Sequence, residues 1–220
     1  MSISTENFVK TVYSFEKLEA RDTKPGSVAK ALGITNAAAT DMARKLAIKK
    51  LIHYQKYQQL KLTQEGEKLA LKVLRKHRLW ESFLHKVFDL SLLEIHREAE
   101  LLEHQTSDFM AEKISQFLGN PSFDPHGDPI PAKDGKIKFD EENIVLFKAE
   151  PGNRYKISRL VSSDEEFFKF CESNQITIGT ELKVVNQYLK NKLTEIMIND
   201  AKLLISSDFA SRIYIKILNK

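Results

Sequence analysis

The chain has 220 residues, 42% of them hydrophobic, and a formal net charge of +4. That length suits one large domain or two to three small ones, and the apolar content argues for packed cores rather than disorder. No run of about 18 apolar residues occurs, which predicts no membrane span. The opening MSISTENFVK lacks the basic head and apolar stretch of a secretory signal. The single cysteine, Cys171, excludes an intramolecular disulfide and a cysteine-rich zinc site. Together these predict a soluble cytoplasmic protein. The charge is uneven: residues 1–72 hold 13 Lys and Arg against 7 Asp and Glu, while residues 73–144 hold 9 against 14. A basic first third suits phosphate contacts and an acidic middle suits cations, although a plain solvated surface gives both patterns too.

Phe8, Val12, Phe15 and Leu18 fall at helical spacing and predict a helix from Thr5, its N-cap, to about Glu19. Thr23-Lys24-Pro25-Gly26 breaks the chain. A short second helix, Ser27–Leu32, is stopped by Gly33, and Thr35 caps a third helix that runs to about Lys50. This is the outline of a helix-turn-helix. On the third helix Thr35, Asn36, Thr40, Arg44 and Lys45 are candidate DNA contacts. The small residues Ala37, Ala38 and Ala39 would let the helix approach a major groove, with Ala38 on the contact surface, while Met42 and Leu46 face the core. A purely structural three-helix bundle has the same outline.

Residues 51–63, LIHYQKYQQLKLT, give two β-rich runs around Lys56-Tyr57, a hairpin or wing. Thr63 caps a helix that carries Leu69, Val73 and Leu74 towards Phe88. A further helix covers about Leu92 to Phe117 and ends at Gly119-Asn120-Pro121. Leu79, Trp80, Phe83, Leu84, Val87, Phe88, Leu90 and Leu92 exceed what two helices need internally, which predicts a self-complementary dimer patch. Residues 118–143 are a Pro-, Gly- and Asp-rich loop. RYKISRL, QITIG, ELKVVNQY, LTEIMI and RIYIKIL then read as strands, with one helix around Asp164–Glu172. The expected fold is α+β, in three parts: 1–72, 73–143 and a small β-barrel over 144–220.

The sharpest chemical signal is HREAELLEH, where His96, Glu100 and His104 fall at i, i+4, i+8 beside Glu103. His77 and Glu81 are spaced i, i+4 on the preceding helix, and antiparallel packing would bring both sets together. Imidazole nitrogen with carboxylate oxygen suits Mn, Fe, Co or Zn, and no thiolate favours a softer ion. A single His–Glu pair at this spacing also occurs on a charged helix face. His85 shares the phase of His77 but reads as solvated.

In order, TENFVKTVYSFEK, HYQKYQQLKLTQEGEKLA, LRKHRLWESFL, IHREAELLEH, DPHGDPIP and the β-rich tail resemble the diphtheria-toxin-repressor and manganese-transport-regulator family over essentially the whole chain. The resemblance implies a winged helix-turn-helix, a helical metal-binding and dimerisation domain, and an SH3-like C-terminal domain. It implies a repressor of metal homeostasis, not an enzyme, that binds a palindromic double-stranded DNA operator as a homodimer. The implied cofactor is Mn(II) or Fe(II), with Co, Zn and Ni able to substitute. One implied metal site comprises His77, Glu81 and His96; the other comprises Glu100, Glu103, His104 and Asn7. Asn7 stands where the family usually has methionine or aspartate. Glu100 stands where iron-responsive members have cysteine. Lys10 stands where some manganese-type members have a further carboxylate. Asp164 and Glu165 lie near third-domain ligands of the family. Two other readings remain at this level: a metal-independent winged-helix regulator, and a metal-dependent hydrolase, which has no HExxH pattern to support it.

Overall fold

The structure is a computed structural model and describes residues 1–19, 21–88, 90–161 and 164–218. It divides into two compact units: Met1–Trp80 with Ala99–Phe117 and Pro131–Ile137, and Glu81–Glu98 with Leu118–Ile130 and Lys138–Lys220. No helix among the described residues is long and apolar enough to cross a membrane.

The first unit opens with helix α1 (Ile3–Tyr13), which starts two residues earlier than the apolar spacing predicts. Its N-cap is Ser2, whose Oγ accepts from the Thr5 N–H at 3.3 Å; Thr5 itself is buried inside the first turn. Ser14–Leu18 continue as a π-helical turn that delivers Phe15 and Leu18 to the core. Helices α2 (Pro25–Ala31) and α3 (Asn36–Ile48) follow, joined through Gly33 at φ +63°. Thr35 caps α3 as expected, its Oγ1 accepting from the Ala38 N–H at 3.1 Å. The wing is a short hairpin in which β1 (Ile52–His53) pairs antiparallel with β2 (Lys61–Leu62). Phe8, Val9, Val12, Val28, Ala39, Ala43, Leu46, Ile52 and Leu60 form one buried cluster, so α1, α2, α3 and the wing share a core. Met42 packs against that cluster, and Leu46 is fully buried in it. Ala39 is also wholly buried, which removes it from the groove-facing set; Ala37 and Ala38 are exposed.

Helix α4 (Gln64–Val87) starts at Thr63, whose Oγ1 accepts from the Gly66 N–H. The single long helix expected over Leu92–Phe117 is three elements: α5 (Leu92–Leu102), a 3-10 turn at Glu103–Gln105, and α6 (Asp108–Phe117). Two hydroxyl residues cause the break. Thr106 takes an extended backbone, ψ 122°, and its Oγ1 donates to the Leu102 carbonyl and accepts from Trp80 Nε1–H. Ser107 then caps α6 by accepting from the Met110 N–H. Short hydroxyl side chains compete with helical hydrogen bonds in this way, and apolar periodicity does not register it.

In the second unit β3 (Ile144–Val145), β4 (Arg154–Leu160), β5 (Glu181–Tyr188), β6 (Leu193–Ile198), β7 (Ala201–Ser206) and β8 (Ile213–Ile217) form an antiparallel sheet in the order β3-β8-β4-β5-β6-β7. Alternate residues Tyr155, Ile157, Leu182, Val184, Ile196 and Ile198 supply its core, joined by Phe167 and Phe168 of α7 (Glu165–Ser173). QITIG is not a strand: Gln175 and Gly179 take left-handed backbones, φ 57° and 92°, and only Ile176 reaches the core. A strand absent from the sequence reading, β7, pairs with β6 through a two-residue turn at Asn199-Asp200, φ 48° and 65°. Asn and Asp tolerate that conformation and mark a tight hairpin. The short helix α8 (Ser207–Ala210) precedes β8. Of the predicted dimer patch, Leu79 and Leu84 are buried inside the protomer, whereas Val87 and Phe88 are exposed.

Gly66 marks a close approach: a Cβ built there would lie 1.9 Å from the Leu51 carbonyl oxygen. Alanine gains about 1 kcal/mol of helix propensity over glycine, but backbone has to move to admit it. Gly66→Ala should therefore destabilise the chain by about 1–3 kcal/mol, seen as a lower Tm; an unchanged or raised Tm would show that α4 shifts without cost.

Candidate metal centre

Helix α1 has two working faces. Phe8, Val9 and Val12 enter the helix-turn-helix core, while Glu6 and Lys10, one turn apart, reach side chains from later in the chain. Lys10 Nζ donates to Glu100 Oε1 at 2.5 Å and to Glu103 Oε1 at 2.7 Å. His77 Nδ1 lies 2.6 Å from Glu103 Oε2 and 3.6 Å from Glu100 Oε1. His104 Nδ1 lies 2.6 Å from Glu6 Oε2, and its Nε2 lies 3.1 Å from Glu103 Oε1. The Glu103 side chain has no exposed surface. Burial works to lower the Lys10 pKa, but the carboxylates of Glu103 and Glu100 outweigh it and raise the value above the ordinary lysine range. The ammonium is thus held charged.

Two polar atoms here are buried with no hydrogen-bond partner: Asn7 Oδ1 and His104 Nε2. A carboxylate only accepts, so the short Glu6–His104 contact calls for a proton on Nδ1, and in the neutral imidazole this makes Nε2 the lone-pair nitrogen. That lone pair faces a carboxylate oxygen of Glu103, an arrangement that a cation relieves. A carboxylate orienting the far nitrogen of an imidazole is also the usual support of a histidine metal ligand. Glu100, Glu103 and His104 each offer a donor within 4.8 Å of the others. The donor set therefore fits a divalent metal. The helix break at Thr106 contributes, because it places Glu103 and His104 on a 3-10 turn rather than in the straight i, i+4, i+8 row read from the sequence.

The second unit contains another such cluster. Glu81, Asp124 and His126, all buried, bring donors within 4.8 Å of one another. His96 Nδ1 lies 3.0 Å from Glu81 Oε1, and His126 Nδ1 lies 3.6 Å from Glu81 Oε2. A tight turn sets this cluster: Asp124 Oδ1 accepts from the N–H groups of His126 and Asp128 at 2.8 and 2.9 Å. Gly127, at φ +82°, lies so close to β4 that a Cβ would meet Ser158 O at 2.1 Å. The His126 N–H and Gly127 are thereby fixed, and His126 Nε2 is buried without a partner. Asp124 and His126 are not among the ligands that the sequence pattern suggests. The signal was the Asp-x-His-Gly turn inside DPHGDPIP, where one aspartate organises the loop and offers a second oxygen.

The structure therefore brings His77 to Glu100 and Glu103, and Glu81 to His96, Asp124 and His126. Asp164 caps α7 and pairs with Arg212, and Glu165 pairs with Arg97 and Lys169. His85 is exposed, as expected. On α3, Thr35, Asn36, Ala38, Arg44 and Lys45 are exposed and Thr40 is half-buried; Lys45 pairs with Asp41 at 2.7 Å.

Comparison with known proteins matches three family models in order along the chain. The iron-dependent repressor N-terminal DNA-binding domain covers residues 1–60, its metal-binding and dimerisation domain covers 63–132, and a FeoA domain covers 144–217. The chain belongs to the diphtheria-toxin-repressor family of metal-dependent transcriptional repressors. It is 28% identical over 199 residues to a diphtheria toxin repressor of Corynebacterium efficiens, covering 84% of each chain. The solved structure of a manganese-dependent transcriptional repressor in complex with manganese superposes with a TM-score of 0.89 at 27% identity, covering 97% of this chain and 100% of that one. ScaR with bound Cd2+ superposes with a TM-score of 0.86 at 27% identity, covering 97% and 99%. Membership accounts for the wing, which has no role in a hydrolase, and makes this chain a regulator rather than an enzyme.

The second cluster has a pH signature in the metal-free repressor. Burial works against a charged His126, yet Glu81, with Asp124 and Asp128, raises its pKa from 6.5 to about 9. A raised folded-state pKa gives stability that is complete below the unfolded value and lost as pH rises through the folded one. Metal-free Tm should thus decline from pH 6.5 to 9, and His126→Gln should flatten that decline. Parallel profiles for the two proteins would show that His126 is neutral in the folded chain.

Proposed function

We propose that this repressor is activated by Mn(II) or Fe(II), with Mn(II) favoured, at a centre formed by Asn7, Glu100, Glu103 and His104. The observation that carries the proposal is the pair of partnerless buried atoms, Asn7 Oδ1 and His104 Nε2: Asn7 follows Glu6 on α1, and Glu6 holds His104. A bound divalent ion would supply the positive charge that neutralises these carboxylates and satisfies these lone pairs. Glu6 orients His104; Glu100 and Glu103 supply hard oxygens. The one thiol is no competitor, because burial pushes Cys171 up to about 12. A second centre is proposed on Glu81 and His96, with Asp124 and His126 added to the set; the resemblance assigns His77 to it as well.

The link to DNA runs through α1. Its apolar face packs in one core with Ala39, Ala43 and Leu46 of α3, so fixing its other face to Glu100–His104 restrains the recognition helix. In a dimer that restraint sets the spacing of two such helices on half-sites one helical turn apart in a palindromic operator. Exposed Phe109, Met110 and Phe117 on α6 give the dimer an apolar face to bury. We assign the three functional parts to residues 1–72, 73–143 and 144–220.

On a DNA fragment selected for binding in Mn(II), fluorescence anisotropy should show binding that chelator removes. Glu100→Ala or His104→Ala should abolish the Mn(II) response, whereas Asn7→Asp, which adds a charged oxygen ligand, should lower the Mn(II) concentration required. Wild-type binding that ignores chelator would favour the metal-independent regulator instead.

The DNA-facing surface makes a separate prediction. Replacing Arg44 and Lys45 with alanine should weaken binding to all sequences. It should also flatten the plot of log K against log salt by about 1 for each phosphate that is left without its cationic side chain. An unchanged slope would remove both residues from the interface.

A further inference from the structure

Lys10 stands out among the residues around the first centre, because it brings a positive charge to a place built from anions. Three carboxylates, Glu6, Glu100 and Glu103, gather here with the imidazoles of His77 and His104. The three carboxylates and the Lys10 ammonium together carry a net charge of minus two, which one divalent ion cancels. The ammonium engages Oε1 of both Glu100 and Glu103, at 2.5 and 2.7 Å. The unsatisfied atoms, Asn7 Oδ1 and His104 Nε2, are not partners of the ammonium, and His104 Nε2 meets the same Glu103 oxygen, Oε1, at 3.1 Å. Carboxylate oxygens accept from more than one partner, so Glu103 is able to serve both positions.

We propose that the Lys10 ammonium is a resident cation of this centre: it ties α1 to Glu100 and Glu103 with or without metal, and the divalent ion binds beside it rather than in its place. The proposal rests on the metal-activated reading above and deepens it. Lys10 becomes a positioning residue that holds α1 before the ion arrives and limits the centre to one ion. Were the ion instead to displace it, the side chain would have to leave a nearly closed position, 12% exposed, and release its charge to solvent.

The test is amine acetylation of the full-length wild type, read by mass spectrometry at Lys10, in chelator and in saturating Mn(II). The exposed lysines Lys49 and Lys50 serve as internal references. Lys10 should be acetylated at least about tenfold more slowly than the references in both conditions, since reaction requires local opening. Lys10 labelled as fast as the references in chelator would show that it is not held. Lys10 protected in chelator but labelled in Mn(II) would show displacement; either result overturns the proposal. Equilibrium dialysis of the same protein separates this from the parent reading. No bound Mn(II) would sink the activation reading and, with it, the adjacent ion. Bound Mn(II) with a labelled Lys10 would sink this proposal alone. In a second variant, Lys10→Glu, an anion replaces the resident cation, and the Mn(II) bound at saturation should rise by one ion per protomer. An unchanged count would overturn the proposal.

Discussion

Glu103 is the constraint on which the first unit depends. Its carboxylate is wholly enclosed, and an enclosed charge stripped of partners costs about 3–5 kcal/mol. Here it has three neighbours from three segments: Lys10 from α1, His77 from α4 and His104 from its own 3-10 turn. These three contacts tie the carboxylate to the place where α1 and α4 meet that turn. The break in the helix at Thr106 is part of the same arrangement. Without the Thr106–Leu102 and Trp80–Thr106 hydrogen bonds, residues 103–105 would continue α5 and Glu103 would leave this position.

A buried polar cluster of this kind is poor stabilising material compared with apolar packing. In the activation proposed above, its value lies in its responsiveness. The core that α1 shares with α3 is apolar and indifferent to ions, while the opposite face of α1 is charged and incompletely satisfied. In the activation proposed above, one helix would report the state of the charged face to the surface that carries Thr35, Asn36, Arg44 and Lys45. The Ser2 cap closes one end of α1, and the π-helical turn at Ser14–Leu18 continues it at the other.

The second cluster shows the same economy in a loop. Asp124 organises a five-residue turn with one oxygen, and Gly127 lets that turn lie against the β4 backbone. The register shift in β4 between Ile157 and Arg159 puts Ser158 at the point of contact, and Arg159 closes the turn by donating to Asp128 at 2.7 Å. Glu81 and His126 stand 45 residues apart in the chain, so no local pattern announces their meeting.

Much was nonetheless local. The spacing of Phe8, Val12, Phe15 and Leu18, the Thr35 and Thr63 caps, the wing around Tyr57 and the alternation in β4, β5 and β6 are short-range signals, and each marks its element in the folded chain. The His and Glu residues on α4 and α5 were also legible, because helical phase alone places them on common faces. Tertiary structure decided the rest. It chose Ser2 over Thr5 as a cap, and it buried Ala39, Leu79 and Leu84. It interrupted Leu92–Phe117 at a threonine whose hydroxyl found Trp80, and it brought Asp124 and His126 to Glu81. It also turned Lys10, a lone charge in a helical pattern, into the counter-ion of two carboxylates some 90 residues away. Periodicity records which residues avoid water. The pairing of buried polar groups depends on which distant partners close the same space, and that is settled only when the chain has folded.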